Sequence, residues 1–139
     1  MKSTKSDIIL KVPSKLLYLG VPDAVMMEMA GDLPFPVSDM EMLSTAVIEA
    51  CTNSMEHGNG MNEDNFVEMH FSFLEDLVRV TVLDNGPGFD HESWVPPDDL
   101  MAQRGRGVKI MREFTDELIY DFADDGRFRL TLIKKMKPE

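Results

Sequence analysis

Three short segments carry residue types that could do chemistry. The first is "EACTN", Glu49 to Asn53. Residues four apart are neighbours on a helix, so Glu49 and Asn53 would project together, with Thr45 and His57 extending the row. Glutamate is rarely buried without a reason. A carboxylate beside a carboxamide at a cleft suits hard-cation work: Asn offers a neutral oxygen to Mg²⁺, which takes few protein ligands and completes its shell with phosphates and waters. The Glu is then free to accept a proton from a nucleophile. The same pair also describes a solvated polar helix face.

The second segment is "VLDNGPGF", residues 82–89, in which a Val-rich strand pattern runs into Asp84, followed by Gly86 and Gly88. This places a carboxylate at a turn where backbone can approach closely. Buried there, it could accept a hydrogen bond from an exocyclic amine such as that of adenine. A plain turn fits equally well. The third segment is "RGRGVKIM", residues 104–111. Gly105 and Gly107 lead into an amphipathic helix, whose N-terminal N–H groups favour phosphate. Arg104, Arg106 and Lys109 put three positive charges within six positions of an acidic chain. A glycine-eased loop with a basic rim is the alternative, and the spacing is not that of a P-loop.

The elements that must hold these segments read as follows. "DIILKVP" is strand-like and ends at Pro13, and Ser14 could cap a short turn. A helix with Pro22 at a first helical position presents Val25, Met26, Met29 and Ala30, and Gly31 stops it. Ser38, with Glu41 three residues on, has a capping-box pattern opening a helix that runs to about His57. Met40, Leu43, Val47 and Ala50 form its core stripe. Strands at 65–73 and 77–84 flank "LED" as a hairpin. Residues 85–104 form a loop long enough to be functional. A helix over about 106–114 is followed by strands at about 117–123 and 127–135, joined by "DDG". The layout is α+β: a two-layer sandwich of helices on one face of a mainly antiparallel mixed sheet.

A chain of 139 residues suggests one domain, spanning 1–139. No apolar run approaches the roughly 20 residues of a membrane span, and no signal-peptide core is visible, so a cytoplasmic protein is expected. The single cysteine, Cys51, excludes an internal disulfide and a cysteine-based zinc cluster within one chain. It lies in an apolar helical pattern and reads as a buried structural residue. A net charge of −11 disfavours nucleic acid as a partner.

Together, in this order, "AVIEACTNSMEHG", "VLDNGPGFD" and "GRGVKIMREFTDEL" resemble the N, G1 and G2 boxes of the GHKL ATPase superfamily, which has the Bergerat ATP-binding fold. Within it they are most similar to the anti-sigma factor serine/threonine kinases of the RsbW and SpoIIAB type. The resemblance extends over nearly the whole chain, to the terminal "RLTLIKK". It implies that Glu49 is the general base, that Asn53 binds the Mg²⁺ bridging the ATP phosphates, and that Asp84 accepts from the adenine amine beside Gly86 and Gly88. It further implies that Gly105, Gly107 and the following backbone at Val108 cradle phosphates, with Thr131 near adenine and residues 89–104 as an ATP lid. Arg104 and Arg106 add phosphate contacts on charge alone. The lid, with its acids, prolines and Trp94, shows no family pattern.

The function so implied is an ATP-dependent serine/threonine kinase acting as an anti-sigma factor. It would phosphorylate a STAS-domain anti-anti-sigma protein and sequester a sigma factor, with a homodimer common in such families. Two alternatives share the site: a non-catalytic ATP-gated binding module, and a stressosome-type switch kinase that regulates a phosphatase.

Overall fold

The computed structural model describes residues 8–88 and 103–137. In chain order the elements are β1 (Ile8–Pro13), a 3₁₀ turn (Leu16–Leu19), α1 (Gly20–Asp32), α2 (Val37–Asn53), a π-helical turn (Ser54–Gly58), β2 (Phe66–Phe73), β3 (Leu77–Asp84), α3 (Gln103–Phe114), β4 (Glu117–Phe122) and β5 (Phe128–Lys135). The strands form one sheet in the order β1-β2-β3-β5-β4. Every pairing among the described strands is antiparallel, so the expected mixed sheet is wholly antiparallel there.

Strand side chains alternate between faces. Val67, Met69, Phe71 and Phe73 of β2, Val78, Val80 and Val82 of β3, and Phe128, Leu130 and Leu132 of β5 are buried together. Against them lies the α2 stripe of Met40, Leu43, Val47 and Ala50, each at most 1% exposed, as its helical spacing requires. Met26 and Ala30 of α1 and Val108 and Met111 of α3 complete the core. The other face carries Glu68, His70, Arg79, Thr81, Arg129 and Thr131, with His70, Thr81 and Thr131 directly opposite one another in the register. There Glu68 meets Lys11 at 3.4 Å, Arg127 at 3.3 Å and the His70 ring at 2.5 Å. The His70 bond first, and Arg127 after it, hold its carboxyl below the usual range against the opposing effect of burial.

Several boundaries differ from the sequence expectations for identifiable reasons. Helix α1 passes through Gly31 and ends at Asp32. Leu33 is extended (φ −103°, ψ 149°), as a residue preceding proline tends to be, so Pro34 is the stop. The helix also begins at Gly20, which puts Pro22 in the first turn, where a missing N–H is tolerated. Helix α2 is capped by Pro36, whose carbonyl accepts from Asp39 and Met40. Ser38 therefore sits inside the helix and the capping box is not formed. The last turn before Gly58 widens into a π-helix.

Candidate functional site

Asn53, at the end of α2, is 8% exposed. Its Nδ2 is buried with no hydrogen-bond partner among the described residues. Such a group ordinarily destabilises a fold by about 1–3 kcal/mol, so it marks a place where something other than stability has shaped the structure. Glu49, one turn earlier, lies on the same row. Thr45 extends that row by a further turn, exposed and with its hydroxyl bonded back to the Glu41 carbonyl at 3.0 Å.

Helix α3 closes over this pair. A Cβ on Gly107 would lie 2.8 Å from Glu49 Oε2 and 3.8 Å from Asn53 Nδ2. The first and third segments therefore meet, and they meet only because residue 107 has no side chain. The helix starts at Gln103, so Arg104 to Gly107 are wound into its first turns and do not form a loop ahead of it. The backbone of Arg104, Gly105 and Arg106 is helical; their side chains, and residues 89–102 of the expected lid with Trp94, lie outside the described residues. Val108, next to Gly107, is buried in the core.

Asp84 is the last residue of β3 and is 2% exposed. Its Oδ1 accepts from the Gly86 N–H at 2.7 Å. Burial raises its pKa, opposed by the Gly86 bond and by one from the Ser54 hydroxyl. Close backbone packing makes the room: a Cβ on Gly58 would collide with the Asp84 carboxylate, and one on Gly86 with the backbone of Gly58. Gly88 has φ +70°, which favours glycine, and lies against the Phe128 ring.

One cleft between α2 and the end of the sheet is lined by Asn53, Ser54, His57, Gly58, Asp84, Gly88, Ala50, Phe128 and Leu130. An apolar wall of Ala50, Phe128 and Leu130 faces a buried carboxylate, the combination that a planar heterocycle with an exocyclic donor would fill. No group of three or more His, Cys, Asp or Glu side chains among the described residues could hold a metal ion by itself. A cation here would rest on Asn53 with substrate oxygens and water, which suits Mg²⁺.

A family model described as the histidine kinase-like ATPase domain matches residues 13–134. The chain belongs to that family. Among its relatives, serine-protein kinase RsbW of Bacillus subtilis (strain 168) is 28% identical over 127 residues, covering 85% of this chain and 79% of that protein. The same-named protein of Bacillus pumilus is 30% identical over 129 residues, covering 85% and 80%. That of Oceanobacillus iheyensis is 34% identical over 85 residues, covering 61% and 54%. The three helices packed on the sheet are consistent with the GHKL ATPase fold, and the histidine kinase-like ATPase domain supports the use of ATP.

Within this ATPase-family cleft, Thr131 is a correction. It lies one residue beyond Leu130, so the strand alternation turns it to the sheet's other face, where its hydroxyl is 3.3 Å from that of Thr81. Leu130, not Thr131, lines the cleft. Sequence reasoning also missed Ser54, Gly58 and Asn59, which lie at or just past the expected helix end near His57. The signal available was Gly58 directly before Asn59, a small residue and an amide where a turn passes a second glycine-rich turn. No helix among the described residues is long and apolar enough to cross a membrane.

Proposed function

We propose that this chain is an ATP-dependent serine/threonine protein kinase of the anti-sigma type, acting in the cytoplasm on a small STAS-domain partner and holding a sigma factor when that partner is phosphorylated. The observation that carries the reading is the approach of Gly107 to Glu49 and Asn53, with Asn53 lining the same cleft as buried Asp84. Kinase activity is supported by the relatives named serine-protein kinase.

Asp84 would accept the adenine amino hydrogen bond, its position fixed by the Gly86 N–H and the Ser54 hydroxyl. Ala50, Phe128 and Leu130 exclude water from the base. Asn53 would present its amide oxygen to Mg²⁺, which when bound neutralises charge on the phosphates. The absence of a side chain at residue 107 keeps the α3 backbone close to both. Glu49 would orient the partner's Ser or Thr hydroxyl and take its proton as the new oxygen–phosphorus bond forms and the bond to the departing ADP breaks. In such transfers positioning and charge stabilisation supply most of the rate. Arg104 and Arg106 add positive charge at the start of α3. A homodimer fits this family of functions.

The test is incubation with γ-labelled ATP and a STAS-domain protein from the same organism. Label on a partner Ser or Thr is expected, and Glu49→Ala should abolish it while leaving ATP binding measurable by calorimetry. Tight ATP binding with no label on any partner would refute the kinase and leave an ATP-gated binding module. Loss of both transfer and binding in Glu49→Ala would make Glu49 structural.

A further inference from the structure

Asn59 follows the π-helical turn and is 6% exposed, with every polar atom of its amide engaged. Its Oδ1 accepts from the Asn85 N–H at 2.8 Å. Its Nδ2 donates to Ser14 Oγ at 2.9 Å and faces the carbonyls of Phe66 at 3.3 Å and Asn65 at 3.4 Å. The amide can be oriented only one way, because one side offers it an N–H and the other offers acceptors. Its own backbone N–H donates to the Ser54 carbonyl at 2.7 Å. Ser14, fully buried, donates its hydroxyl hydrogen to Asn65 O at 2.6 Å and so receives Asn59 as an acceptor.

The Asn59 side chain therefore holds the chain on one side of Asp84, fixing it just after the carboxylate through the Asn85 N–H. The bond from Asn59 to the Ser54 carbonyl is made by the backbone and closes the π turn whose Ser54 hydroxyl bonds that carboxylate, so a substitution at residue 59 keeps it. Between the two, Gly58 and Gly86 pack backbone to backbone. Asn59 does not line the cleft. We infer that Asn59, anchored by Ser14, is a positioning residue that aims the Asp84 carboxylate and so sets the preference for adenine. The inference rests on the proposed ATP site; the grip itself is independent of it.

Two measurements separate these. The first is amide hydrogen exchange without nucleotide. In Asn59→Ala, exchange at Asn85 and Gly86 should accelerate by about tenfold or more, while the core of β2 and β3 is unchanged. Parent-like exchange would overturn the grip. The second is calorimetric titration with ATP and with GTP, well below each variant's Tm. Asn59→Ala should lose about tenfold in ATP affinity and a similar factor in ATP-over-GTP preference; Ser14→Ala, remote from the cleft, should lose about threefold. In an Asp84→Asn background, Asn59→Ala should add less than about twofold, because the two act through one carboxylate.

A purely structural residue would lower Tm and leave base preference alone, and that result overturns the proposal. Should Asn59→Ala fail to fold, Ser14→Ala decides by the same readout, and an unchanged preference overturns it. If the parent binds no ATP, the proposed function falls, and the exchange experiment still decides whether the grip exists.

Discussion

Gly58→Ala tests the construction of the site most directly. The added carbon would lie 2.5 Å from Asp84 Oδ2 and 2.6 Å from Oδ1. Neither neighbour can simply move aside. Asp84 is held by the Gly86 N–H at 2.7 Å and by the Ser54 hydroxyl, and Gly86 itself abuts the Gly58 backbone. If the carboxylate leaves, two hydrogen bonds to a charged group are lost, at about 1.5–3 kcal/mol each. If the backbone shifts, overpacking costs about 1–3 kcal/mol. The chain follows the cheaper route, and reduced freedom of the unfolded chain returns about 0.4–1 kcal/mol. The net expectation is a loss of about 1–2 kcal/mol, read by urea unfolding at neutral pH, together with a clear loss of ATP affinity in calorimetry. Gly31→Ala is the control: a Cβ there meets nothing within 4 Å in α1, and about 1 kcal/mol of stabilisation is expected. If Gly58→Ala unfolds within about 0.5 kcal/mol of the parent and binds ATP normally, then Asp84 is not packed against Gly58 and the reasoning is wrong.

Gly107→Ala places a carbon 2.8 Å from Glu49 Oε2, the mobile end of a side chain. Helix propensity offsets the crowding by about 1 kcal/mol, so stability should stay near the parent's. Phosphotransfer at saturating ATP should fall about a hundredfold, and an unchanged rate would show that Glu49 need not be held in place. Asp84 has its pKa raised by burial, so the stability tied to its neutral form is present below the unfolded-state pKa and is lost as pH rises through the raised folded value. Asp84→Asn should therefore be more stable than the parent at pH 7, with the gap closing as pH falls towards about 4, while ATP binding weakens. A variant less stable at neutral pH would contradict this. Cys51 is buried, with its thiol pushed up to about 12; it should resist alkylation at pH 8 in the native state and react on unfolding, as followed by mass spectrometry.

The strands and the α2 core stripe were legible because side-chain period reports burial directly. The final hairpin was legible from "DDG", where Gly126 takes φ +90°. The pairing of Glu49 with Asn53 followed from helix geometry, and Asp84 from its place at a strand end. What was not legible depended on contacts distant in sequence. No local pattern shows that Pro36 outcompetes Ser38 for the helix start, since that turns on which carbonyl receives Met40. The π-helical turn has no compositional mark, yet it brings Ser54 and Gly58 to Asp84. Thr131 was misplaced by a single residue because a strand's faces alternate, and one step exchanges Leu130 for Thr131. Asn59 carried no local signal because its partners lie in β1's exit, β2's entry, the π turn and the Asp84 turn.

The strand pair at the centre of the sheet has a bearing on how the protein is made. β3 lies between β2 and β5, and Asp84 is paired with Phe128, Leu77 with Lys135. A chain emerging from the ribosome therefore presents β3 with one edge bare until β5 is released. Phe128 and Leu130, two of the three residues of the apolar wall, arrive with that strand. Non-local pairing of this kind is slow and leaves an exposed edge while it waits. A chain from which β5 has not yet emerged could not assemble the cleft, so nucleotide would act late, stabilising only molecules in which β5 is already paired.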